Sequence, residues 1–200
     1  MEVVLIIVAV ALVAAGAAVA LRARTRTRPA PAGLAAGGGP ARLRSDVREL
    51  RVGDVVNYAG GDYVVEGTLR LEEGGFEWAE HRLVDGPNSL WLSVEDGDDG
   101  LECAIWERGR GLDLQPGART LEHDGVTYER DERGTASFTA EGSTGTGTGG
   151  RVEYADYAAG GRLLSFERYG DAAEWEAGLG RVVSEHELDI YPGSDGGPAR

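Results

Sequence analysis

"FEWAEH" at residues 76–81 and "VEYADY" at 152–157 carry the same kinds of residue in the same order: apolar, Glu, aromatic, Ala, acid, ring. The first phrase is followed by "LSVE" at 92–95 and the second by "LSFE" at 164–167. Upstream, "YAGGDYVVEGTL" at 58–69 resembles "HDGVTYERDERGTASF" at 123–138, each a turn leading into a Tyr-bearing segment. Each half closes on a Trp, Trp106 and Trp175. The spacing predicts two copies of one unit, over about 52–110 and 119–180. In "LWLSVE", Leu90, Leu92 and Val94 alternate with Trp91, Ser93 and Glu95, the period of a strand with one buried face. Gly- and Asp-rich dipeptides, among them "GGD" at 60–62, "DGP" at 85–87, "ERG" at 132–134 and "AGG" at 159–161, punctuate the strands as turns. The expectation is a mainly β domain over 46–193, built as two pseudo-twofold-related lobes of antiparallel β-meander that share a core. A half of about 70 residues buries too little to stand alone.

The chain has 200 residues, with 34 acids and 20 basic residues, every one of them Arg. Residues 1–51 hold eight Arg against three acids, net +5, whereas residues 52–200 hold 31 acids against 12 Arg, net −19. So acidic a domain repels nucleic acid and suits a basic partner or a cation. Cys103 is the single cysteine, so no internal disulfide forms.

Val3 to Leu21 contains no charge. As a helix it is about 28 Å long, close to the bilayer core. Arg22, Arg24, Arg26 and Arg28 follow it. A secretory signal carries its positive charge before the apolar run, not after it. Residues 1–28 are therefore expected to form a transmembrane helix with a basic flank. The positive-inside rule then puts the amino terminus outside and the domain in the cytoplasm, at the inner membrane. Residues 29–45 read as a Pro/Ala/Gly linker and 194–200 as a tail without structure.

"VGDVVNYAGGDYVVEGTLRLEEGGFEWAEHRLVDG", "LWLSVEDGDDGLECAIWERG", "LEHDGVTYERDERGTASFTAEG" and "SEHELDIYPG" together resemble the bacterial family known as domain of unknown function 4178, over about residues 45–193. The resemblance brings no catalytic residues. It implies single-pass actinobacterial members whose genes lie beside other membrane proteins and a polyamine aminopropyltransferase-like gene.

His81, His123 and His186 each follow a Glu, but their spacing matches no metal motif, and a lone Cys excludes a Cys-based zinc site. "EDGDDGLE" at 95–102 falls one residue short of a calcium loop and reads as a hairpin turn. "GSTGTGTGG" at 142–150 lacks the Lys of a phosphate loop. No metal or cofactor is expected. Trp91, Trp106, Trp175 and Tyr169 read as packing.

The repeated acids are the candidate site. Strand parity puts Glu80 beside Trp78 and Asp156 beside Tyr154. Two acids walled by aromatic rings suit an organic cation, or, with raised pKa values, acid–base chemistry. The plain alternative places both acids at strand ends, or has a bulge turn them to solvent. The functional expectation is a non-enzymatic binding or scaffolding module at the membrane, with the bilayer and another membrane protein or a polyamine-related protein as partners. The alternative is a polyamine sensor or enzyme using an acidic cleft.

Overall fold

The computed structural model describes residues 46–97, 100–172 and 174–193. A 3-10 turn at Val47–Glu49 leads into β1 (Val55–Tyr58), β2 (Gly61–Glu73), β3 (Phe76–Asp85), β4 (Asn88–Gly97) and β5 (Gly100–Arg108). The second series is β6 (Thr120–His123), β7 (Val126–Gly142), β8 (Gly149–Ala159), β9 (Arg162–Tyr169) and β10 (Glu176–Val183). A second 3-10 turn at Glu185–Glu187 and a short β11 (Asp189–Tyr191) close the described chain.

The strands form one sheet, not two lobes. Its order is β11-β1-β2-β3-β4-β5-β10-β9-β8-β7-β6, and β2 also pairs with β7. That extra pairing joins the ends of β2-β3-β4-β5-β10-β9-β8-β7 into a closed antiparallel barrel of eight strands, four from each repeat. β1 and β6 lie outside the ring, against the first parts of β2 and β7. The expected pair of meander lobes is corrected accordingly: the repeats share strand pairings at two seams, as well as a core.

Closure depends on two bulges. β2 pairs with β1 over Gly61–Val64, slips register at Glu66, and from Gly67 onward pairs with β7 instead. A bulge bends a strand and re-aims it, which frees β2 to change neighbours. β7 does the same, with its slip at Asp131. The "ERG" expected as a turn at 132–134 therefore lies inside a continuous strand. At the β2–β7 seam Gly67 faces Gly142. A Cβ on Gly67 would stand 2.6 Å from the Ser143 backbone, so the close approach requires glycine.

Both bulges lie five residues after the first residue of their strand, and two-residue turns close β3–β4 and β8–β9. Counted from these landmarks, Arg82 corresponds to Asp156 and Glu80 to Tyr154. The phrases "FEWAEH" and "VEYADY" thus sit on equivalent strands but two residues out of register. An even offset preserves the face, so both acids still point the same way.

One side of the sheet faces the barrel interior. There Leu69, Leu71, Ala136, Phe138, Val152 and Tyr154 pack with Trp78, Trp91 and Tyr169. The outer face is covered twice. Val47, Leu50, Val56, Leu188 and Ile190 from the terminal segments lie over β2–β5. Leu112, Leu114, Leu121 and Trp175 lie over β7–β10. The segments that supply these covers read "LDLQPG" at 112–117 and "LDIYPG" at 188–193, a further repeated phrase.

The transmembrane helix is likewise corrected. Among the described residues no helix is long and apolar enough to cross a membrane. The helical elements are two three-residue 3-10 turns, each about 6 Å long against a hydrocarbon core of about 30 Å. The stretch 3–21, the flanking Arg22, Arg24, Arg26 and Arg28, the linker 29–45 and the tail 194–200 lie outside the described residues. The membrane-protein description and the inner-membrane, cytoplasm-facing placement drawn from them find no element in the described fold.

Candidate functional site

Glu80 on β3 lies directly opposite Ser93 on β4, and Asp156 on β8 directly opposite Ser165 on β9. Both acids face the barrel interior, half-buried. Trp78 and Tyr154 stand beside them, with ring centroids 6.0 Å apart in an edge-on arrangement. This contact reaches from β3 to β8 across the two strands between them, as only side chains on a concave face do. The structure therefore brings Glu80, Asp156, Trp78 and Tyr154 into one interior.

Two further acids belong to that interior. Glu95 on β4 is directly opposite Trp78, and Glu167 on β9 directly opposite Tyr154. They are the final residues of "LSVE" and "LSFE". Their alternation with Trp91, Ser93, Leu163 and Ser165 already put them on the inner face, but only the closed barrel brings β4 and β9 around to Glu80 and Asp156.

Burial is the first cause that raises the carboxyl pKa of Glu80, Asp156, Glu95 and Glu167 above the usual range. Neighbouring charge adds to it. Glu80 feels Asp156, and Glu167 feels Glu80 and Glu176. Asp156 feels Glu167, Glu132 and Asp131, and is pushed up to about 7. Glu95 feels Glu102, Glu132 and Asp131. Every charged group named in these relations is an acid. Together they form a file of acids in which Glu80, Asp156 and Glu167 adjoin one another and Glu95 is joined through Glu132 and Asp131, with Glu102, Glu132 and Glu176 exposed. Arg82 is on the same face, but its guanidinium is held by Glu66 at 2.9 Å. Arg108 is held by Glu176 at 2.7 Å.

Neutral donors tune the file. The indole N–H of Trp78 donates to Glu80 at 3.3 Å, and the Tyr169 hydroxyl donates to Glu167 at 2.9 Å. Trp106 donates to the Ser93 hydroxyl at 2.9 Å, fixing Ser93 beside Glu80. The Tyr154 hydroxyl donates to Glu73 at 2.5 Å. Burial and Glu73 together raise the Tyr154 pKa, so the phenol stays protonated.

The three histidines do not meet. His81 is buried on β3, His123 ends β6, and His186 sits in the second 3-10 turn. Among the described residues no cluster of His, Cys, Asp and Glu has a metal-holding geometry. The acidic run at 95–102 pairs as far as Gly97 and Gly100, a hairpin end. Trp91 and Tyr169 pack inside the barrel and Trp175 outside it. Cys103 is buried, and burial pushes its thiol up to about 11, away from reactivity.

The profile of the family described as domain of unknown function (DUF4178) matches residues 51–185. An uncharacterised protein of Mycobacterium bovis is 43% identical over 151 residues, which is 72% of this chain and 73% of that protein. Uncharacterised proteins of two Mycobacterium tuberculosis strains match with the same identity and coverage. No solved structure matches. With a profile spanning most of the barrel and relatives at this identity, the chain belongs to the DUF4178 family.

Proposed function

We propose that the protein is a non-enzymatic binding module whose barrel takes a small organic cation into its interior. The observation that carries this reading is the set of inward carboxylates Glu80, Glu95, Asp156 and Glu167, none of which has a basic partner among the described residues. Buried carboxylates without a counter-charge cost several kcal/mol and settle by taking up protons. A cation supplies the missing charge instead, and Trp78 beside Glu80 adds a ring face for an ammonium group. Because several acids share the interior, a flexible chain with several ammonium groups matches them better than one singly charged compact ion.

Thermal denaturation with spermidine, tetramethylammonium or Ca2+ tests the reading, at about pH 8 where Glu80 and Asp156 are largely ionised. Spermidine is expected to raise the melting temperature most, and Glu80→Gln/Asp156→Asn to abolish the rise. No rise with any of the three, or an equal rise in the double variant, would contradict it.

A further inference from the structure

A second site lies on the outer face of the barrel, over β2, β3, β4 and β7. It is a groove of about 470 Å³ floored by Ala79, His81 and Val94, a volume within the range of small-molecule sites. His81 is 2% exposed. Its Nδ1 shares a hydrogen bond of 3.0 Å with the Thr68 hydroxyl. Its Nε2 has no partner among the described residues, yet no buried side-chain nitrogen or oxygen is left unsatisfied. The Nε2 edge is therefore the part of the ring that opens onto the groove. Burial and the nearby Arg70 hold the imidazole pKa down at about 4, so it stays neutral.

Strand register orders the groove by charge. Thr68 is opposite His81, Arg70 opposite Ala79, and Glu72 opposite Glu77. Arg70 is exposed and makes no ion pair among the described residues, although the domain around it is strongly acidic. Two residues farther along, Glu72 and Glu77 are register partners. Glu72 accepts from the Gly75 N–H and the Ser137 hydroxyl, and Arg48 at the same groove is taken up by Asp46 and Asp96. The two like charges are left without a basic partner among the described residues, which a cation relieves. Two residues of strand span about 7 Å. The groove thus offers an anion-binding end, formed by Arg70 and His81 Nε2, and a cation-binding end, formed by Glu72 and Glu77.

We infer that this groove binds a small zwitterion, with its carboxylate on Arg70 and His81 and its ammonium group between Glu72 and Glu77. The site is separate from the barrel interior and does not depend on the function proposed for it.

The test uses 6-aminohexanoate and hexanoate as probes, followed through the His81 ring nitrogen resonances. The amino acid is expected to shift the Nε2 signal saturably and to bind more tightly than hexanoate. Arg70→Gln, an exposed change that leaves the core intact, weakens it by about tenfold, as expected for one charge-assisted contact. Glu77→Gln weakens 6-aminohexanoate and leaves hexanoate unchanged. Asp156→Asn, inside the barrel, leaves both unchanged. The inference is overturned if 6-aminohexanoate produces no saturable shift at millimolar concentration, if Arg70→Gln binds it as well as the native chain, or if hexanoate binds equally tightly.

Discussion

The two repeats build the same strands and opposite interiors. With the turns and bulges superposed, Trp78, Trp91 and Trp106 of the first repeat correspond to Val152, Ser165 and Gly178 of the second. The first copy supplies bulk and the second the space it fills. The Trp106 indole lies across β10, where a Cβ on Gly180 would collide with it. The acids are distributed just as unevenly, since Glu80 corresponds to Tyr154 and Arg82 to Asp156. Duplication therefore explains the barrel but not the carboxylate file, which is assembled from unlike positions of the two copies.

The largest test of this contrast is at the β5–β10 seam. Gly180→Val should cost about 2–3 kcal/mol by overpacking against Trp106, and Trp106→Ala about 3 kcal/mol through the cavity it leaves. The double variant should lose clearly less than the sum, because the small side chain makes room for the large one. Arg108→Val, the corresponding change in the first repeat, should fall within about 0.5 kcal/mol, since Arg108 is exposed. Urea unfolding measures all four. Additive losses would mean that the indole does not rest on Gly180.

The pH dependence probes the file itself. Carboxyls whose folded pKa lies above the unfolded value stabilise the protein below the unfolded pKa, and that contribution is lost as pH rises through the folded value. The window runs from 4.5 to about 7 for Glu80, from 3.8 to about 7 for Asp156 and from 4.5 to about 8 for Glu167. The unliganded barrel should therefore melt lower at about pH 8 than at about pH 5, and Glu80→Gln should regain about 2–4 °C at the higher pH alone. His81 works in the opposite direction. Its depressed pKa costs stability as pH falls from about 6.5 toward 4, which offsets part of the gain at about pH 5, so the Glu80→Gln difference, which His81 does not share, is the discriminating readout. A Glu80→Gln effect equal at both pH values would place Glu80 in water.

A smaller loss than at the seam is expected of Ser93→Ala. It removes the acceptor of the Trp106 indole and should cost about 1 kcal/mol in the same urea experiment. Ser93 lies between the two halves of the comparison, holding the bulky ring on one side and flanking Glu80 on the other.

Strand content, the recurring strand order and the inward direction of Glu80 and Asp156 were legible in the sequence because all three rest on period-two alternation and turn residues. Barrel closure was not, because it depends on Glu66 and Asp131 bulging so that β2 and β7 exchange neighbours, and a bulge leaves no distinctive residue type behind. Gly134 illustrates the difficulty. It reads as a turn, yet its missing Cβ makes room for the Glu73–Tyr154 hydrogen bond in mid-strand. The matched phrases misled on register, since similar words at unequal distances from the turns align by composition and not by place. Glu95 and Glu167 were visible as alternating acids, but their convergence with Glu80 and Asp156 requires the closed ring.

The most direct test of the cation-binding interior is calorimetric titration of spermidine at about pH 7, in two buffers of different ionisation enthalpy. A cation entering the file lowers the raised carboxyl pKa values, so protons must leave as it binds. The expected result is net proton release in the native chain, falling with Asp156→Asn and disappearing with Glu80→Gln/Asp156→Asn. Binding heat that is identical in the two buffers and unchanged in the double variant would contradict it.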